Sequence, residues 1–318
     1  MGRYIQRRVL IGIPILLTIT VLIFTLLQLT PGDPLDTYAP PDQPMPAAQR
    51  EALRHELGLD RPVVIQYLYW LRETVQGNLG YRAKTFEPVS EAIGRRIGPT
   101  LLLVGTAMVI GIGAGVALGV LAAVRQYSFL DTVMTIFAFI GISMPAYLAG
   151  LIGLYLFALR WDWFPAGGFS SPGEPFSAWD RLHHLILPAA IISVNYVAST
   201  MRYTRSAMLD ALGQDYVRTA RSKGLRERLV IGSHALRNAL LPVITIIGAS
   251  VPNLLGGAVF TESIFSWPGL GRLFLEGVES RDYPLIMGMT LILAAAILIV
   301  NLLTDLAYAV VDPRIRYG

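Results

Sequence analysis

The sequence has no cysteine among its 318 residues, which excludes disulfides, thiolate metal sites and thiol chemistry. Lysine is almost missing too, with Lys84 and Lys223 the only two. A phosphate-binding P-loop needs Gly immediately before its Lys, and Ala83 and Ser222 stand there instead. The chain therefore has no Walker-type nucleotide loop, and any nucleotide energy must come from a partner. No Gly-x-Gly-x-x-Gly loop, His-Glu-x-x-His pair or Gly-x-Ser-x-Gly elbow occurs either. Charge is scarce: 15% of residues are Asp, Glu, Lys or Arg, against about 25% in a soluble domain.

Apolar residues fill the space that charge leaves. They make up 53% of the chain and fall in unbroken blocks rather than at amphipathic spacing. In hydrocarbon the backbone must satisfy its own N–H and C=O groups, so such blocks are helices. About 20 residues cross the ~30 Å core. Six blocks qualify, near 9–29, 99–124, 132–159, 185–201, 240–261 and 285–310. The expected fold is an all-α polytopic membrane protein with six transmembrane helices. The first block follows Arg3, Arg7 and Arg8 as a signal peptide would, but it is longer than an h-region and TPGDP follows it. It reads as a retained anchor.

Cationic residues orient the spans, because Lys and Arg gather on cytoplasmic loops. Fourteen lie on segments sharing a side with the N-terminus, and four on the short loops opposite. Both termini are therefore expected in the cytoplasm. This asymmetry accounts for the pI near 9.4 without nucleic acid as a partner. Loop 31–98 falls outside, with helices expected over 46–57 and 62–76. The second of these carries Val64, Tyr67, Leu68, Leu71 and Val75 on one face, suited to the membrane interface or to the chain's own spans.

Gly111, Gly115 and Gly119 recur at four-residue spacing, which lets two membrane helices approach closely, within the chain or between subunits. Pro145, Pro188, Pro242 and Pro252 fall in or at the ends of spans, where they kink or break helices. Polar residues inside spans are few. Asn195 and Asn253 are the candidates for a translocation path, although each could simply bridge helices. His183 and His184 lie outside, before the fourth span, and no metal site is expected.

The cytoplasmic loop 202–239 contains DYVRTARSKG, residues 215–224. Asp215 suits an N-cap, Arg218, Arg221 and Lys223 suit the C-terminal half, and Gly224 suits the position after the last turn. Two to three turns are too few to be stable alone in water, so this helix must dock. Ala220 shares a side with Tyr216 and Lys223, which makes a compact knob for a groove on another protein. Leu225 to Asn238 reads as a second helix leading into the fifth span.

The segment VRTARSKGLRERLVIGSHALRNALLP resembles the cytoplasmic loop of ABC-importer permeases. Their general pattern is Glu-Ala-Ala, three residues, Gly, nine residues, Ile-x-Leu-Pro. Ala220, Gly224 and Leu236 match it; Arg218 replaces the Glu and Arg237 the Pro. LTPGDP, FSWPGLGRL, SRDYPL and NLLTDLAYAVVDPRIRYG agree with the dipeptide/oligopeptide/nickel branch, and the chain resembles its B-type first permease subunit.

The resemblance implies an anchor over 1–30, an external region over 31–98, and a five-helix permease core over 99–318. It also implies partners: a second permease subunit, two ATPase subunits that use ATP and Mg, an external solute-binding protein and the bilayer. This chain would bind no cofactor and catalyse nothing. Residues Asp215, Tyr216, Arg218, Thr219, Ala220, Arg221, Lys223 and Gly224 would form the coupling helix against an ATPase.

Overall fold

The computed structural model of the protein describes residues 2–38, 45–240 and 258–311. Within these residues the apolar blocks are helical. In chain order these are α1 (Gly2–Leu29), α2 (Ala47–Glu56), α3 (Val63–Val75), α4 (Val89–Val124), α5 (Phe129–Ser143) and α6 (Ala146–Gly153), which widens into a π-helical stretch over Leu154–Arg160. Then come α7 (Ala178–Leu212), α8 (Asp215–Ser222) and α9 (Glu227–Leu229), the last running on into a π-helical stretch over Val230–Leu236. The described part of α10 is 258–264, and α11 (Leu270–Ser280) and α12 (Tyr283–Val311) follow. Among the described residues the only β-type pairing is one isolated bridge, Tyr81 with Pro88.

Among the described residues four helices are long and apolar enough to cross a membrane: Tyr4–Leu29, Val89–Val124, Ala178–Leu212 and Tyr283–Leu306. The third expected span is not one rod. Phe129–Ser143 and Ala146–Arg160 meet at 107°. Pro145 is the cause, since a residue before proline is driven out of the α region, and Met144 sits at φ −80°, ψ 122°. Each half is shorter than the roughly 20 residues a crossing needs, so the two make a fifth span only together. Pro188, by contrast, is absorbed within α7. Two other boundaries moved. Helix α4 starts at Val89, ten residues before the hydropathy signal, because buried Val89, Ala92 and Ile93 hold a turn that also bears Arg95 and Arg96. Helix α7 continues through 202–212, which sequence reading gave to a loop. Most of the fifth span, with Asn253, Pro242 and Pro252, lies outside the described residues, as do Arg314 and Arg316.

The described residues divide into two compact units, one from those within 2–98 and 272–302, the other from those within 99–271 and 303–311. In the first, the apolar side chains of α1 are mostly left uncovered by the rest of the chain, as a lipid-facing helix requires. Helix α3 turns Tyr67 toward α1, where its hydroxyl meets Thr20 at 3.0 Å and its ring meets Phe24 edge-on. Val64, Leu68 and Val75 stay exposed, so the face expected to be uniform is split between protein and surroundings. Asp33 ties the connection after α1 to α2. Burial opposes its ionisation, but the Leu35 N–H and the Arg54 and Arg50 guanidiniums hold its carboxyl below the ordinary value. The SRDYPL motif caps α12: Asp282 accepts from the Leu285 N–H at 3.3 Å and the Ala83 N–H at 3.2 Å, pinning the segment between α3 and α4 to that helix start. Its burial pushes the carboxyl above its usual value, against those two N–H groups and Arg82.

In the second unit, α4 and α7 pack through the glycine stripe. A Cβ at Gly111 would lie 2.5 Å from Tyr196 Cβ, one at Gly115 2.6 Å from Thr200 Cβ, and one at Gly119 2.7 Å from the Met201 carbonyl. The stripe is thus an intrachain contact. The FSWPGLGRL motif builds a buried junction nearby. The Glu262 carboxylate, fully buried, accepts from Thr100 Oγ1 and from the Gly271 N–H, both at 2.6 Å, at the positive N-terminus of α11. It fills the space a Cβ at Gly269 would need. Trp267 donates to the Pro99 carbonyl at 3.0 Å and stacks edge-on with Phe169.

Candidate functional site

Among the described residues no group of three His, Asp or Glu is placed to hold a metal. Ser193 donates its hydroxyl to the Ala190 carbonyl in its own helix, and His183 and His184 sit 2.8 and 2.9 Å from the Trp163 and Asp180 carbonyl oxygens. Asn195 on α7 donates to the Gly141 carbonyl of α5 at 3.4 Å, a bridge between helices just before the Pro145 break. Asn253 lies outside the described residues.

What remains is the corner beyond α7. That helix has 35 residues and so runs about 52 Å, some 20 Å more than a hydrocarbon core needs. Its last turns meet α8 and the start of the next helix in one apolar cluster. Met208 and Ala211 come from α7, Val217 and Ala220 from α8, and Val230, Ala235 and Ala239 from the helix that follows, with Ala123 of α4 closing it. Helix α8 is otherwise polar, and Val217 and Ala220, three apart, form its only apolar edge. Val217 is 0% exposed and Ala220 5%. Burying a valine side chain is worth about 1.5–3 kcal/mol, which a helix of this length needs to persist.

This placement corrects two expectations. Ala220 is not an outward knob, because its side chain belongs to the inward edge with Val217. The 216–220–223 side chosen from the sequence ignored valine 217, whose apolar bulk decides which edge is buried. Nor is Asp215 the N-cap: Gln214 holds that position, without a side-chain bond, and Asp215 is the first helical residue. Its charge still lies at the favourable end of the helix.

The exposed face carries Asp215, Tyr216, Arg218, Thr219, Arg221, Ser222 and Lys223. Arg221 meets Glu227 at 2.6 Å, and that hydrogen bond holds the Glu227 carboxyl below and the Arg221 guanidinium above their ordinary values. Arg218 lies 3.6 Å from Asp215. Gly224 ends the helix as expected, at φ +74°, with its N–H bonded to the Arg221 carbonyl and the Leu225 N–H to the Ala220 carbonyl. A Cβ there meets nothing within 4 Å, so the cost of a side chain is backbone strain alone. Gly224→Ala is expected to lower the stability of this corner by about 1 kcal/mol, and Gly224→Asn by less. Amide exchange of α8 in the purified protein checks both.

One element of the site left no mark in the sequence. Arg205, on α7 about two turns before the corner, grips Asp131 with both nitrogens, Nε at 2.7 Å and Nη2 at 2.8 Å. Asp131 is buried in the first turn of α5, where the Ser128 hydroxyl accepts from its N–H and its carboxylate accepts from the Tyr127 N–H. Removing one partner of such a buried pair costs about 3–5 kcal/mol. The two residues are 74 apart, and no local pattern links them.

Comparison with known proteins gives the family. Residues 115–317 match the family model described as binding-protein-dependent transport system inner membrane component, and residues 1–101 match the corresponding N-terminal model. Over 317 residues the chain is 54% identical to a Brucella suis protein carrying a peptide-permease name, covering 99% of each. Over 318 residues it is 46% identical to the oligopeptide transport system permease protein AppB of Bacillus subtilis, covering all of both. The fold is similar to a chain of the MetNI methionine ABC transporter in an inward-facing form, with a TM-score of 0.54 at 14% identity over 70% of this chain and 97% of that one. This chain belongs to the inner-membrane permease subunits of binding-protein-dependent ABC importers.

Proposed function

We propose that the chain forms half of the translocation pore of a peptide importer and takes its power stroke through α8. A permease subunit of this class is a pore component rather than an enzyme, and it works with ATPase and substrate-binding partners. The finer reading is two ATPases hydrolysing ATP with Mg, one second permease subunit and one external binding protein. Six spans with both termini in the cytoplasm fit the charge asymmetry. Peptides are favoured as substrate by the names its relatives carry along their full lengths.

The observation that carries the reading is the two-sided character of α8. Its apolar edge is fastened to α7, α4 and the helix after it, while its polar face is left outward. A short helix held this way passes a push on its outer face directly into α7. ATP-driven closure of the ATPases would draw the two coupling helices together and open the pore outward, and hydrolysis would reset it.

The test is a double charge reversal on the outer face, Arg218→Glu with Lys223→Glu, in the co-expressed transporter. Both sites are exposed, so insertion should match the parent. Co-purification with the ATPases and peptide uptake should each fall about tenfold, as expected for a few surface contacts of about 0–1 kcal/mol turned repulsive. Full uptake with ATPases still bound would sink the assignment of this face.

A further inference from the structure

The first unit contains a cavity of about 330 Å³ that the transport cycle as described does not use. Its floor is the outer end of α1, with Phe24, Leu27 and Gln28, and the start of α12, with Tyr283, Pro284 and Met287. The turn after α2 and the inner side of α3 complete the walls. Both floor helices are among those able to cross a membrane, and one ends where the other begins, so the cavity lies at headgroup depth.

Its chemistry is mixed in a particular way. The walls are mainly apolar, with Phe24, Leu59, Trp70 and Met287, but they also carry two cations, Arg61 and Arg281, and two carboxylates, Glu56 and Glu73. These charges are not simply spent on each other: Arg61 lies over the Tyr69 ring at 5.9 Å, Arg281 donates to the Pro31 carbonyl at 2.9 Å, and Glu73 accepts from Asn78 at 3.1 Å. Below the cavity, on the same face of α1 as Phe24 and Gln28, Leu17 and Val21 are uncovered, an apolar track leading into the hydrocarbon.

We infer that this cavity binds one phospholipid with a zwitterionic, primary-amine headgroup. The phosphate would meet Arg61 and Arg281, the ammonium would meet Glu56 and Glu73, and an acyl chain would follow α1. Guanidinium suits phosphate through paired donors, and an ammonium offers three donors to carboxylates. An anionic headgroup would satisfy the arginines but face two carboxylates. A choline headgroup has no N–H to donate. A soluble peptide supplies both charges but leaves the apolar track empty.

The experiment uses the assembled transporter in phosphatidylcholine nanodiscs carrying a trace of photoactivatable phosphatidylethanolamine. Labelling is expected within residues 24–83 and 281–287, competed by unlabelled phosphatidylethanolamine and not by phosphatidylcholine or phosphatidylglycerol. The pair Glu56→Gln with Glu73→Gln should reduce it about tenfold, as should Leu57→Trp, which narrows the cavity from an exposed rim position. Unchanged membrane insertion and elution volume confirm that these variants fold. Labelling that all three lipids compete equally, or that neither variant reduces, overturns the inference. Displacement by a tripeptide also overturns it, because the cavity would then be a peptide subsite.

Discussion

Val217→Asp is expected to abolish uptake while leaving the protein in the membrane. Val217 is wholly enclosed by the cluster that holds α8, and no cation is among the residues of that cluster. An aspartate there must either stay buried and unpaired, at a cost of several kcal/mol, or pull the helix out into water. The second is cheaper, because an eight-residue helix has little stability of its own to defend. Detached, its outer face no longer has a fixed orientation, and ATPase binding should fall with uptake. Val217→Ile, which keeps the apolar edge, is the control. Immunoblotting of membranes, ATPase pull-down and labelled-peptide uptake give the three readouts. A Val217→Asp protein that transports normally would mean the apolar edge is dispensable. Ala220→Leu should have a milder effect of the same kind through overpacking, rather than through a lost contact with a partner.

Gly119→Leu should prevent the second unit from forming. At Gly119 the missing side chain is replaced by the Met201 carbonyl oxygen and Thr204 Cβ, which a Cβ would approach to 2.7 and 2.6 Å. A backbone oxygen cannot rotate away, so the helices must separate along their contact. They would also lose the matching contacts at Gly111 and Gly115. Even Gly119→Ala should cost about 1–3 kcal/mol, and leucine several times that. Gly113 lies in the same run of sequence but has open space around it, so Gly113→Ala should be neutral or stabilising by up to about 1 kcal/mol. Thermal unfolding followed by detergent-exchange aggregation separates the three. Equal melting of the Gly113 and Gly119 alanine variants would refute the packing argument.

The glycines also show how far the sequence could be read. Their four-residue spacing announced a close helix contact, but only the partners Tyr196, Thr200 and Thr204 on α7 decide that the contact is internal. The α8 helix, its glycine terminator and helices α2 and α3 were legible because caps, breakers and short-range periodicity act within a few residues. The buried edge of α8 was not, because only two residues mark it and their neighbours come from three other segments. The Pro145 break could be suspected but not its 107° angle, since a proline restricts one residue and the surrounding packing sets the rest. Asp131 and Arg205 were invisible as a pair: nothing local links two charges on separate helices.

The ion pair on α7 has a mechanical consequence. It grips that helix about 10 Å from the end that meets α8 and about 40 Å from the other end. With α4 locked to α7 through the glycine stripe, a push at the corner is expected to tilt α4, α5 and α7 as one body rather than bend one rod. About that grip the far end of α7 travels about four times as far as the end at the corner.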